Sequence, residues 1–454
     1  MASYEPVHPV DMSVYRHRFG TTEMCDIFSE RARLYSWLEY EAVLARAQAA
    51  CGMIPATAAE EISRVALSGQ VTPERVAEIY DKVKLDTVAL IRALTEKCTP
   101  ESAKYVHWGS TTTDILDTGM ALQLKKAHAL IVQEAKVLRK QLVELAKRHR
   151  DTVMVARTHS QHALPVTFAF KVAMWIDELT NHLQRLEEVK PRLLRGKITG
   201  VVGSQAGYGT HGIEVQRHVC ESLGLHEPDT SNQISRSRFQ EFLFLMALLG
   251  NTLQCIAKEV WTRQRPEIAE LAEGFKAGEQ IGSTTLAFKR NPVLSEWILG
   301  YSKILRGHAM TMMDIVMEDE RDGARVAVEY AIIPDSCLVA SVALETTQNL
   351  IGTLEVNVER MRENIYSSYG FVFSEAVMMA LAGVGLGKQV AHEVLYECSN
   401  RCYRERIQLR QALLEDPRVT RYFDAARLDE IMRPQAYLGT VREQVAAALM
   451  RAGE

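Results

Sequence analysis

The sequence predicts an all-α protein built around a bundle of long helices, on three observations. Apolar residues at 124, 127, 131, 135, 138, 142 and 145 recur at alternating threes and fours, the stripe of a long helix packed at coiled-coil-like angles. Similar stretches run through Phe168–Leu193, Arg238–Thr262, Pro292–Met317 and Pro334–Met361, which makes five long helices with short links. Strand-like alternation is scarce.

Taken in order, residues 1–110 read as shorter helices broken by Gly52, Pro55, Gly69 and Pro73. The long helices occupy 111–362. Beyond them, Ser367-Ser368-Tyr369-Gly370 and then Gly383 to Gly387 punctuate shorter helical segments over 363–454. The expectation is three helical domains, 1–110, 111–362 and 363–454, with no internal repeat and no low-complexity linker. Helices striped over so much of their surface bury it in an oligomer.

The chain of 454 residues is long enough for a large core, and its 53 basic and 57 acidic side chains leave a formal charge of −4. That balance gives no support to a nucleic-acid or polybasic membrane role. No apolar run approaches the roughly 20 residues of a membrane helix; Phe242 to Leu249 is among the longest. The first twelve residues lack the apolar core of a signal peptide. The eight cysteines are scattered, with no cluster that completes a zinc set. They read as reduced thiols in a cytoplasmic protein without a metal site.

Gly207-Tyr208-Gly209-Thr210-His211-Gly212 matches G-x-G-x-x-G. No β-rich run leads into it, as a dinucleotide loop requires, so it reads as a connection between helices. Three polar clusters stand out instead. His107-Trp108-Gly109-Ser110-Thr111-Thr112-Thr113-Asp114 offers hydroxyls and an acid that can cap the next helix or hold a carboxylate at its start. Arg157-Thr158-His159-Ser160-Gln161-His162 sits between two helices and carries histidines, the side chains most easily tuned to move a proton near neutral pH. The third pairs Gly282-Ser283-Thr284-Thr285-Leu286-Ala287-Phe288-Lys289-Arg290-Asn291-Pro292 with Glu320-Arg321-Asp322 downstream. Its serine, lysine and amide bring a proton acceptor and an anion clamp to one loop.

These clusters, in this order on a long helical bundle, resemble the fumarase/aspartase superfamily over nearly the whole chain. The resemblance implies an all-α homotetramer forming a 20-helix core, each active site combining the three blocks from three subunits. It implies β-elimination that releases fumarate, from a small dicarboxylate, with no metal or organic cofactor. The developing dianion of such a reaction needs fixed cations and N–H donors. Roles carried over from the family make Ser283 the base and His159 the acid for the leaving group, oriented by Glu296. Lys289, Asn291, Thr111, Thr112 and Arg321 then hold carboxylates, with His107, Arg18 and Asn232 also at the substrate.

Two branches compete for the substrate. Lys104 to Thr118, Arg157-Thr158-His159 and Glu320-Arg321-Asp322 with Ile333-Pro334-Asp335 resemble adenylosuccinate lyases. Gln161 to Phe168, Val328-Glu329-Tyr330 and Pro434 to Gly439 resemble 3-carboxy-cis,cis-muconate cycloisomerases. The serine and arginine with which adenylosuccinate lyases grip the nucleotide phosphate are Val326 and Tyr330 here. The histidine of their R-H-D-V segment is Leu85, their early Arg-Tyr pair is Arg18-Phe19, and a substrate-binding glutamine is Asn232. Losing a charge-assisted phosphate partner costs roughly 2–5 kcal/mol. The muconate branch, for its part, does not keep the histidine found here at 159. The sequence expectation is therefore a lyase for a non-nucleotide N-substituted aspartate or related succinyl compound. Phe288, Arg325 and Tyr330 would shape the leaving-group pocket. Adenylosuccinate lyase and the cycloisomerase remain as alternatives, and a crystallin-like structural role is the non-enzymatic one.

Overall fold

The computed structural model describes residues 5–230, 235–276, 278–316 and 323–453. Helix dominates among them, and β-structure in named strands is limited to two antiparallel pairs: Val153–Thr158 with Gln161–Thr167, and Leu271–Ala272 with Glu355–Val356. The five long helices are Thr112–Arg148, Phe168–Leu193, Ser237–Arg263, Val293–Met313 and Ala324–Gly352. The seven striped positions from Leu124 to Leu145 are each no more than 1% exposed, so the periodicity marks the buried face. The stretch expected over Pro334–Met361 instead begins at Ala324 and ends at Gly352, with Pro334 inside the helix. Proline is a natural start signal because it lacks an N–H. Here the helix extends in front of it, and Arg325 and Glu329, one turn apart in that added stretch, pair in the interior.

Two compact units result, Met1–Ala135 with His182–Asn251 and Gly300–Glu345, and Lys136–Asn181 with Thr252–Leu299 and Thr346–Glu454. In the first, the helices Glu30–Ala50 and Ala56–Leu67 pack together, burying Trp37, Leu38, Leu44 and Ile62. Ser29 starts the longer helix by accepting from the Ala32 amide, a side-chain cap of the usual kind. In the second, Val153 and Val155 join Phe373, Leu381, Leu395, Leu409 and Leu413 in one apolar cluster, which roots the longer hairpin in the C-terminal helices.

One finding changes a sequence expectation. Among the described residues, the helices Ser237–Arg263 and Ala324–Gly352 do reach the length and mean hydropathy, 1.3 and 1.5, of a membrane span. Averaging over a whole helix reveals what the search for one unbroken apolar run did not. Of those apolar windows, 56% and 61% is buried within this chain, as for core helices of a large protein. The glycine-rich run at 207–212 is a short helical turn, Ala206–His211, leading into the helix Gly212–Leu223. A Cβ on Gly207 would lie 3.0 Å from Gly109 Cα, and one on Gly109 would lie 2.9 Å from the Gly207 carbonyl oxygen. These glycines serve a close backbone approach.

Candidate active site

In the second unit, the Arg157–His162 block forms the tip of the hairpin rather than a helix junction. Thr158 pairs with Gln161, so His159 and Ser160 are a two-residue turn, with φ of 49° and 63°. Such a turn requires positive φ at both central residues, a conformation that non-glycine residues adopt with strain. The strain projects an exposed His159 from a rigid stem. Arg157 below it donates to Glu270 at 2.8 and 3.1 Å. Glu270 also accepts from Asn364 at 2.8 Å and pairs with Arg263. Burial raises the Glu270 pKa, but these donors outweigh it and hold the carboxyl below its ordinary value. Burial and then Arg157 lower the His162 pKa, which disfavours its charged, proton-donating form.

The Gly282–Pro292 loop lies in the same unit and closes on itself. Asn291 Nδ2 donates to the Gly282 carbonyl at 2.9 Å. A Cβ on Gly282 would lie 2.1 Å from the Lys289 carbonyl oxygen, so only glycine fits there. Ser283 Oγ accepts from the amides of Thr285 at 3.3 Å and Leu286 at 3.1 Å. Two N–H donors on a hydroxyl oxygen stabilise its alkoxide, which is what a serine base needs. Lys289 is exposed and Phe288 is 82% exposed. Downstream, Glu273 accepts from the Leu294 and Ser295 amides at 2.9 and 2.7 Å. It caps the helix whose first turn carries an exposed Glu296. Among the described residues, no hydrogen bond joins His159 to Glu296 within one chain.

The first unit gathers the other block. His107 Nδ1 is 2.7 Å from Glu41 Oε1, and the Glu41 side chain is 1% exposed. Burial lowers the His107 pKa, and the Glu41 carboxylate more than reverses this, for a net rise. Asp114 reaches back to the Thr111 amide at 3.3 Å and accepts from Thr199 and Gly200, fixing the start of the helix at Thr111 and Thr112. Burial nonetheless raises the Asp114 pKa. Thr112 Oγ1 is 3.2 Å from Thr87 Oγ1. Next to Thr87, Asp86 accepts from the Tyr330 hydroxyl at 3.2 Å. Asp86 and Tyr330 line a cavity of about 450 Å³ with Arg33, Trp37 and Tyr80. Arg325 is buried against Glu329 at 2.6 Å and Asp117 at 3.5 Å, so its guanidinium is engaged there. Arg18 lies in the short helix Arg16–Phe19, its carbonyl accepting from the Tyr301 hydroxyl at 2.7 Å. Asn232 and Arg321 lie outside the described residues.

The lyase family pattern matches residues 17–307, and the adenylosuccinate lyase C-terminus pattern matches 370–448. The chain is a lyase of the fumarase/aspartase superfamily. An adenylosuccinate lyase from Methanocaldococcus jannaschii is 40% identical over 435 residues, 95% of this chain and 93% of that protein. An N-acetyl-S-(2-succino)cysteine lyase from Dickeya dadantii is 35% identical over 439 residues, 96% of each. The crystal structure of a 3-carboxy-cis,cis-muconate lactonizing enzyme from Pseudomonas putida superposes with a TM-score of 0.90 at 32% identity. It covers 97% of this chain and 99% of that one.

In this lyase the expected residues fall into two groups. Ser283, Lys289 and Asn291 share one loop, near in sequence to Glu296 and in the same unit as His159; His107, Thr111, Thr112 and Tyr330 belong to the other unit. Sequence reasoning passed over Glu41, Glu270 and Glu273, which orient these blocks. Glu41 lies within a helix and Glu270 and Glu273 flank the short strand Leu271–Ala272, with no motif around any of them. The residue that each holds, His107, Arg157 and Leu294 in turn, is at least 21 residues away in sequence.

Proposed function

We propose that this lyase releases fumarate by β-elimination from a succinyl-bearing compound, with adenylosuccinate as the leading substrate. The observation that carries the elimination is the Ser283 oxygen under two backbone donors in a loop that also holds Lys289. Ser283 takes the proton beside a carboxylate, and the C–H electron pair becomes the new C=C bond. The bond to the leaving group breaks with its electrons on that group, and His159 supplies a proton to it. The succinyl part thus becomes fumarate, and the atom that carried it departs as a neutral amine or thiol. Assembly of the site from three subunits of a homotetramer, in the cytoplasm, belongs to the same proposal.

For the substrate, the relatives support adenylosuccinate better than the non-nucleotide N-substituted aspartate or related succinyl compound expected from Leu85, Val326 and Tyr330. Similarity at 40% over 95% of the chain outweighs departures at single positions. A second reading, a non-nucleotide succinyl compound, is favoured by Tyr330. Its hydroxyl turns to Asp86, an anion that repels a phosphate, and a relative at 35% identity is named for a succinylated cysteine. The test is to follow fumarate release from adenylosuccinate, N-acetyl-S-(2-succino)cysteine and simple N-alkyl aspartates in parallel. Turnover of adenylosuccinate above the others supports the first reading. Turnover only of the non-nucleotide compounds supports the second, and no fumarate from any of them sinks both.

A further inference from the structure

The eight cysteines show no zinc spacing in sequence, yet one of them meets two other ligand types in space. Cys51 ends the helix Glu30–Ala50, its amide donating to the Ala47 and Ala49 carbonyls. Glu214 and His218 stand one turn apart on the helix Gly212–Leu223, which packs against the first. One ligand atom from each of Cys51, Glu214 and His218 lies within 4.8 Å of the others, with His218 Nε2 4.0 Å from Glu214 Oε1. Around a tetrahedral zinc ion, sulfur, nitrogen and oxygen ligands stand roughly 3.4–3.6 Å apart. Small side-chain rotations close that difference, because both helices hold their backbones in place. His211 Nδ1 lies 3.7 Å from the other Glu214 oxygen, one residue before the same helix begins.

We propose that Cys51, Glu214 and His218, with His211 or water in the fourth place, bind a borderline divalent cation of the zinc type. A thiolate, an imidazole and a carboxylate are a donor set that favours zinc over the hard cations magnesium and calcium. Arg217 is the opposing charge, 3.9 Å from Glu214, and its side chain is 51% exposed and free to swing toward solvent. Binding replaces the Cys51 S–H bond with a sulfur–metal bond and releases that proton to solvent. The ion would clamp the end of a helix whose Tyr40, Glu41 and Gln48 contact Ser110, His107 and the Trp108 carbonyl. It would therefore stiffen the support of the His107 block without taking part in the elimination.

Co(II) is the probe, titrated into the full chain after chelator treatment. The expected result is one Co(II) per chain with an intense sulfur-to-cobalt absorption in the near ultraviolet. Cys51→Ser abolishes that absorption, and His218→Ala weakens binding by more than about tenfold. Cys255→Ser, at an exposed thiol in the other unit, leaves it unchanged. Wild-type protein without the absorption overturns the proposal, and so does absorption that survives Cys51→Ser. Should Cys51→Ser fail to fold, the partly exposed His218→Ala variant decides: undiminished cobalt affinity there also overturns it.

Discussion

Asp117→Asn removes one negative charge from a buried cluster while keeping the side chain's shape. Its carboxylate accepts from Arg236 at 2.8 and 3.1 Å and from Lys197 at 2.8 Å, with Arg325 at 3.5 Å. Glu329 is the second anion, bonded to Arg236 and Arg325. These five side chains are each at most 6% exposed. Arg238 adds a fourth cation 3.8 Å from Asp117, so in the variant four cations face one carboxylate instead of two. Removing one partner of a buried ion pair typically costs about 3–5 kcal/mol. The first unit has about 250 residues, for which a kcal/mol shifts the transition by roughly 2–4 °C, so melting falls by roughly 6–20 °C. The pH dependence follows from the same charges. Burial raises the Asp117 pKa, but Arg236, Lys197 and Arg325 outweigh it and hold the carboxyl well below the usual range. Its stabilisation is therefore present above the unfolded value of about 3.9 and fades as pH falls through the folded value. Calorimetry of both proteins at neutral and acidic pH checks this. A neutral-pH drop of less than about 2 °C would refute the reasoning.

Three further outcomes are expected. Gly282→Ala forces a Cβ onto the Lys289 carbonyl; fumarate release falls by at least about 100-fold, while helix content by circular dichroism is unchanged. Glu41→Gln removes the carboxylate that raises His107, so burial prevails and NMR titration finds the imidazole below its wild-type value. The stability that His107 contributes is full below the unfolded value of about 6.5 and is lost as pH rises through the folded value; the Gln variant lacks that loss. His159→Gly relieves a left-handed turn position worth about 1 kcal/mol or more. Melting should then not fall, while turnover drops by about 10²–10⁴, a combination that separates the acid role from a structural one.

The bundle was legible because burial imposes a period on the sequence: Leu124, Ile131, Leu138 and Leu145 are spaced by the helix itself and all end in the core. The hairpin at 153–167 was not. Its turn is His159-Ser160 where Asn-Gly or Asp-Gly would have announced it, and Pro165 within its second strand argues locally against pairing. The three blocks proposed for the site stood out as polar runs between apolar stripes, and the Ser283 loop keeps its residues within one short segment. The groups that hold those blocks did not stand out. Arg157 with Glu270, His107 with Glu41 and Asp117 with Arg236 are pairs made by the fold, and no local pattern connects their members. For the same reason Arg325 read as a pocket residue, although in space it bonds Glu329 and Asp117.

The central claim is that the Ser283 oxygen, held by the Thr285 and Leu286 amides, is the base that releases fumarate. The most direct measurement is the ultraviolet absorbance of fumarate formed from the best substrate by wild-type protein and by Ser283→Ala, with folding checked by circular dichroism. The account predicts that the folded Ala variant is slower by about 10²–10⁴. A folded Ala variant that releases fumarate at the wild-type rate would contradict it.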